Sequence, residues 1–169
     1  MAEVLIALGS NLGDRLGHLR SAVACLSEFI EVQAVARVYE TAPMYVTDQP
    51  AFLNTALRAR TYMGPWPLLK AMKGIERSLG RRERERNGPR EIDLDLIAYG
   101  NARVVFSPVG ERLEVPHPRA QDRRFVLAPL ADVAPFAVLI GQGRLLELLR
   151  ATEDQSDSVL LTGHAVFPL

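Results

Sequence analysis

The run Arg90-Glu91-Ile92-Asp93-Leu94-Asp95-Leu96 carries the sharpest chemical signal in this sequence. In a strand, successive side chains point to opposite faces. Ile92, Leu94 and Leu96 therefore take one face, as core residues would, and Asp93 and Asp95 take the other, about 6–7 Å apart along the strand. Two carboxylates at that spacing repel, and burying both without partners is costly. A hard divalent cation resolves the conflict, because Mg²⁺ accepts one or two carboxylates and keeps other positions for water and phosphate oxygens. The plainer reading is an exposed sheet face carrying solvated acids.

Just upstream, Arg81, Arg82, Arg84, Arg86 and Arg90 crowd one short stretch, interleaved with Glu83 and Glu85, and Gly88-Pro89 makes it a loop. Guanidinium forks grip phosphate oxygens bidentately. An arginine loop feeding straight into paired aspartates suits closure over a nucleotide; a solvated loop of self-paired charges is the alternative. Downstream, Val115-Pro116-His117-Pro118 sets His117 in a rigid turn, followed by Arg119, Arg123, Arg124 and Phe125. His117 there is either a phosphate donor or a structural histidine. In Asp48-Gln49-Pro50-Ala51-Phe52-Leu53-Asn54, Phe52 and Asn54 share one strand face. An aromatic plate beside an amide can stack a flat heterocycle and read its polar edge, or the pair is simply a core phenylalanine and a turn asparagine. No G-x-x-x-x-G-K-[ST] phosphate loop and no kinase H-R-D or D-F-G set is present.

These residues need a frame to hold them. Val4 to Leu8 reads as a buried strand, and Leu16, Leu19, Val23, Leu26 and Ile30 recur at helical spacing behind Asp14 as N-cap. Val32 to Thr41 reads as one strand, Ala42 to Pro50 as a loop, and Phe52 to Tyr62 as the next strand. Pro65 and Pro67 suit the first turn of a helix that carries Leu69, Met72, Ile75 and Leu79 inward and stops at Gly80. After a strand from Ile92 to Tyr99, Gly100-Asn101 reads as a hairpin turn into Val104 to Phe106. A short strand near Leu113 to Val115 and helices near Arg124 to Ala131 and Arg144 to Arg150 complete the pass. The β-α-β-β-α-β order predicts an α+β fold, a ferredoxin-like sandwich with a mainly antiparallel sheet, in one domain over residues 1–169.

The composition agrees with a folded chain: 48% hydrophobic, 24% charged, and zero formal net charge over 169 residues. That balance gives no general attraction to nucleic acid or anionic membrane. One cysteine, Cys25, excludes an internal disulfide and fits a reducing compartment. The opening Met1-Ala2-Glu3-Val4 has no basic region before its apolar run, so a cytoplasmic protein without a signal peptide is expected.

Taken together, the chain resembles the 6-hydroxymethyl-7,8-dihydropterin pyrophosphokinase family of folate biosynthesis. The matching pieces are Ala7-Leu8-Gly9-Ser10-Asn11-Leu12-Gly13, Tyr39-Glu40-Thr41-Ala42-Pro43, the segment Asp48 to Asn54, Gly88-Pro89-Arg90-Glu91-Ile92-Asp93-Leu94-Asp95, Val115-Pro116-His117 and Arg123 to Leu130. The resemblance implies transfer of pyrophosphate from ATP to the pterin's hydroxymethyl group, with AMP leaving. It makes Asp93 and Asp95 ligands of two Mg²⁺ ions and assigns catalytic roles to them and to Arg90, Arg123 and His117. Phe52 and Phe125 would sandwich the pterin, with Thr41, Asn54 and backbone groups near Ala42 and Met44 reading its edge. Glu76, Arg81, Arg84, Arg90, Arg112, His117 and Arg123 would contact ATP. The expected partners are these two small molecules, with no nucleic acid or membrane, on a monomer or weak homo-oligomer. Asn87, Pro118 and Lys73 stand where the family often has tryptophan, tyrosine and glutamine. Three rivals differ in class: an RNA-binding module on a similar sheet, a metal-dependent phosphodiesterase, and a pterin binder that forms no AMP.

Overall fold

The computed structural model describes the whole chain except Arg84, Arg86, Val109, Pro168 and Leu169. The order is β1 (Ala2–Ser10), α1 (Arg15–Leu26), β2 (Glu31–Val35), β3 (Tyr39–Thr41), β4 (Phe52–Thr61), α2 (Pro65–Ser78), β5 (Asp93–Tyr99), β6 (Val104–Phe106), β7 (Leu113–Val115), α3 (Arg124–Val133), β8 (Val138–Leu139), β9 (Gly143–Arg144), α4 (Leu145–Ala151) and β10 (Val159–Leu161). β1 is apolar on both faces and lies inside the main sheet, ordered β10-β3-β4-β1-β5 with β2 also on β4. Every pairing in it is antiparallel. The fold is thus the expected mixed helix and sheet architecture.

Two helical layers cover the sheet. Val4, Ile6 and Leu8 of β1, with Leu94 and Leu96 of β5, pack against Leu19, Val23 and Leu26 of α1 and Leu68, Met72 and Ile75 of α2. On the other face Leu5, Ala7 and Ile97 meet Val126, Leu127 and Leu130 of α3 and Leu145 of α4. Each fully buried leucine of these layers contributes roughly 2 kcal/mol relative to exposure. Asp14 caps α1, its side chain accepting from the Gly17 N–H. No described helix is long and apolar enough to cross a membrane. Because α3 and α4 occupy the second face, the described sheet presents no open platform of the kind an RNA-binding module of this type uses.

Several expectations need correction. The strand expected over Val32 to Thr41 is two, β2 and β3. Between them the Ala36 N–H bonds to the Ala56 carbonyl, while Arg37 and Tyr39 turn toward Asp132 of α3. Ile30 lies beyond the end of α1 yet is still buried. Leu68, which was not expected inward, is fully buried beneath α2, and the half-buried Leu69 packs against the same core. β6 does not form a hairpin with β5; it pairs with β7. The Gly100 N–H is taken by the Glu3 carbonyl, and Phe106 packs edge-on against Trp66 of α2 at 5.0 Å, drawing β6 away from the sheet.

Candidate active site

The pleat of β5 sends Leu94 and Leu96 into the core and leaves Asp93 and Asp95 on the opposite face. There they stand across from Gly9 and Ala7 of β1. These small residues leave room for a cavity of about 310 Å³ into which both aspartates open.

The two acids are not equivalent. Asp93 is paired twice: Oδ1 accepts from Arg81 Nη1 at 2.6 Å and Oδ2 from Arg90 Nη1 at 2.9 Å. Burial pushes its pKa up, but Arg90, Arg81 and Lys73 together outweigh burial and hold it below the usual carboxylate range. Asp95 accepts no hydrogen bond among the described residues. Burial and then the charge of Asp93 raise its pKa, against His117, Lys73 and Arg123.

A buried acid supports this pair from below. Glu76 of α2 is 3% exposed. Its Oε1 accepts from the Leu94 N–H at 2.7 Å and from Lys73 Nζ at 3.0 Å, and pairs with Arg81 at 2.6 Å. Burial raises the Glu76 pKa chiefly, with Lys73 and Arg81 pulling the other way. Glu76 therefore ties α2 to β5 and sets Arg81 against Asp93.

His117 enters from the loop after β7. Its backbone N–H bonds to the Ile97 carbonyl at 2.9 Å, and its Nδ1 accepts from the Arg119 N–H at 3.2 Å. With Nδ1 so occupied, the neutral ring carries its proton on Nε2. Burial lowers the His117 pKa, aided by Arg123 and Arg119 and opposed by Asp95.

The aromatic residues lie under cations. Arg90 sits 5.6 Å over the Phe52 ring and Arg123 sits 5.6 Å over the Phe125 ring. Arg123 is 6% exposed and donates from Nε to the Tyr45 hydroxyl at 3.1 Å. Asn54, buried in β4, donates from Nδ2 to Thr41 Oγ1 at 2.6 Å. Nearby, Asn11 accepts from the Arg90 N–H and donates to Gln49 Oε1, while Gln49 donates to the Asn87 carbonyl.

Asp93, Asp95, Arg81, Arg90, His117 and Arg123 thus border one cavity, whose other wall holds Thr41, Ala42, Met44, Phe52, Asn54 and Phe125. Two expected residues are elsewhere. Glu76 lies beneath the site and borders an outer cleft. Arg112 pairs with Glu114 and lines an adjoining cleft that shares Lys73, Asp95 and His117 with the main cavity. Arg84 lies outside the described residues. Tyr45, Lys73, Gln49, Asn87 and Arg119 also line the cavity, beyond the residues expected to form the site. Tyr45 sits in an aperiodic loop, and Lys73 adjoins the inward face of α2.

No group of three or more His, Cys, Asp or Glu side chains converges as a metal site among the described residues. The donor set is a carboxylate pair open to a cavity ringed by arginines. That set fits magnesium, which binds through one or two carboxylates and completes its shell with water and phosphate.

Residues 5–135 match the family described as 7,8-dihydro-6-hydroxymethylpterin-pyrophosphokinase. The chain is 49% identical over 137 residues to the mitochondrial folate synthesis bifunctional protein of Pisum sativum, covering 80% of this chain and 26% of that protein. It is 45% identical over 130 residues to the 2-amino-4-hydroxy-6-hydroxymethyldihydropteridine pyrophosphokinase of Bacillus subtilis, covering 76% of this chain and 75% of the relative. The chain thus spans about a quarter of the plant protein and about three quarters of the bacterial one. The fold is similar to a wild-type HPPK-DHPS crystal structure from Plasmodium falciparum, with TM-score 0.75 and 12% identity over 92% of this chain and 45% of that one.

Proposed function

This chain belongs to the 7,8-dihydro-6-hydroxymethylpterin-pyrophosphokinase family, and from that premise we propose that it transfers pyrophosphate from ATP to 6-hydroxymethyl-7,8-dihydropterin. The products are AMP and the pterin diphosphate, in a step of folate biosynthesis. One observation carries this reading: the paired aspartates and the Phe52–Asn54 face open into the same cavity. A phosphate-binding half and a heterocycle-binding half thereby share one space.

The pterin stacks between Phe52 and Phe125, while Asn54, Thr41 and the backbone near Ala42 and Met44 read its polar edge. Arg81, Arg90, Arg123 and the Nε2–H of His117 donate to the phosphates. Asp93 and Asp95 would hold two magnesium ions, which neutralise and orient the triphosphate oxygens when bound. The hydroxymethyl oxygen attacks the β-phosphorus, the bond from that phosphorus to the α-phosphate oxygen breaks, and AMP leaves. Attacking and leaving oxygens lie roughly in line, and the protein's work is positioning and charge neutralisation. Lys73, in contact with Glu76 and facing Asp95, adds cationic charge on the nucleotide side. Arg112 lines the adjoining cleft, a place suited to the nucleotide's remaining atoms. On this reading it is a cytoplasmic enzyme acting as a monomer or weak homo-oligomer on two small molecules.

Incubation of the protein with Mg²⁺, ATP and 6-hydroxymethyl-7,8-dihydropterin tests the proposal. AMP and pterin diphosphate are expected in equal amounts. ADP as product, or AMP formed equally well without pterin, would overturn it in favour of a phosphatase or phosphodiesterase.

A further inference from the structure

Arg123 occupies an unusual joint. It is the single residue between the 3₁₀ turn Ala120–Asp122 and α3, and its own backbone is extended, with φ −121° and ψ 95°. Its side chain is nevertheless buried and aimed across the cavity to Tyr45. Its own N–H bonds to the Ala120 carbonyl and its carbonyl accepts from the Val126 and Leu127 N–H groups, which leaves the adjoining Asp122 carbonyl and Arg124 N–H to be held from elsewhere. The holding group comes from the far end of the chain, beyond the residues that match the family.

Gln155 lies in the 3₁₀ segment Glu153–Ser158 before β10. Its side-chain Oε1 accepts from the Arg124 N–H at 3.1 Å, and its Nε2 donates to the Asp122 carbonyl at 3.1 Å. One amide thus satisfies both backbone groups that flank Arg123. Without Gln155 the Arg124 N–H, at the open start of α3, has no side-chain cap. Gln155 is itself fixed: its N–H bonds to the Thr152 carbonyl at 3.0 Å and its carbonyl accepts from Ser158 Oγ at 2.9 Å. Arg124 strengthens the docking by donating to the Leu149 carbonyl and to Glu153. The same segment reaches the opposite wall, where the Ser158 carbonyl accepts from the Ala42 N–H at 2.9 Å.

We propose that Gln155 is a positioning residue for Arg123, bracketing its backbone so that the guanidinium points at the transferred phosphates. The proposal rests on the pyrophosphokinase reading for its kinetic consequence but not for its structural one. Displacing a charged group by about an ångström lowers kcat far more than it weakens ground-state binding.

The test compares Gln155→Ala with wild type in two arms. In the first, the Arg123 Nε–H resonance is followed by NMR, assigned through its loss in Arg123→Ala. It is expected to shift or broaden in Gln155→Ala while the core amide spectrum stays in place; an unmoved resonance overturns the proposal. In the second, kcat is expected to fall roughly tenfold, with KM for pterin within about twofold. In an Arg123→Ala background Gln155→Ala should add no further loss, whereas a merely structural role would add its full effect. Glu153→Ala, which loosens tail docking without touching the amide bracket, should leave kcat unchanged; an equal fall there also overturns the proposal. Gln155→Glu keeps the acceptor for the Arg124 N–H and loses the donor to Asp122, so it takes the place of Gln155→Ala should that variant not fold. If wild type forms no AMP, the activity reading fails and the resonance arm alone decides the positioning role.

Discussion

Gly9 and Asn54 face each other across paired strands so closely that a Cβ on Gly9 would lie 2.6 Å from Asn54 Oδ1. The backbone of Gly9 needs no left-handed conformation, so space alone demands glycine here. Gly9→Ala should push the amide from its hydrogen bond to Thr41 and leave the strand intact. Pterin affinity is expected to fall about tenfold, the scale of one or two lost polar contacts, with little change in Tm. Fluorescence titration of the pterin and a thermal melt check this. Unchanged affinity would remove Asn54 from the proposed reading of the pterin edge.

Asp93 and Asp95 should separate in stability although both are needed for activity. Asp93→Ala takes the carboxylate partner from Arg90 and leaves Arg81 with Glu76 alone among the described acids, and should cost about 1–3 kcal/mol. Asp95→Ala removes an acid that accepts no described hydrogen bond and repels Asp93, so the metal-free protein should be as stable as wild type or more so. Urea unfolding without magnesium measures the difference. Equal destabilisation by both substitutions would contradict the unequal partnering of the pair.

The two aspartates were legible in sequence because a strand's period of two assigns faces without tertiary information. The same rule placed Phe52 and Asn54 together on β4. Tyr45 was not legible, since the loop over Ala42 to Pro50 has no period from which to infer that its hydroxyl meets Arg123. Glu76 falls on the inward stripe of α2, one residue after Ile75, so its burial could have been read. Its partners could not, because the Leu94 N–H and Arg81 come from segments that only the fold brings near. The hairpin expected at Gly100-Asn101 failed because a turn signal does not name a strand's partner, and the contact of Phe106 with Trp66 decided otherwise. Gln155 gave no signal at all: its role depends on two backbone groups about thirty residues earlier.

Asn11 should couple the two halves of the site. Its side chain, 2% exposed, accepts from the Arg90 N–H and donates to Gln49 Oε1 and the Pro50 carbonyl. Asn11→Ala leaves those groups without partners and should destabilise the protein by about 2–3 kcal/mol. Binding of pterin and of a non-hydrolysable ATP analogue should both weaken, because the segments that carry Phe52 and Arg90 lose a common anchor. Calorimetric titration of each ligand tests this, and weakening of only one would refute a shared anchor.

Tyr39 supplies the pH dependence with a definite sign. Its hydroxyl donates to Asp132 on α3 and accepts from Arg37 Nη2 at 3.2 Å, while Arg37 also pairs with Asp132 at 2.6 Å. Burial raises the Tyr39 pKa first, and the Asp132 charge raises it further, against Arg37. A raised pKa means that the folded state keeps its proton after the unfolded chain has lost it. The stabilisation is therefore complete below the unfolded value, about 10, and disappears as pH climbs through the folded value. Urea denaturation across this alkaline window should show unfolding free energy falling with pH in wild type. Tyr39→Phe should be weaker by about 1 kcal/mol at neutral pH from the lost hydrogen bond, and its alkaline decline should be shallower because it has no phenol to titrate. Parallel curves for the two proteins would mean that the proton on Tyr39 contributes nothing to joining β3 to α3.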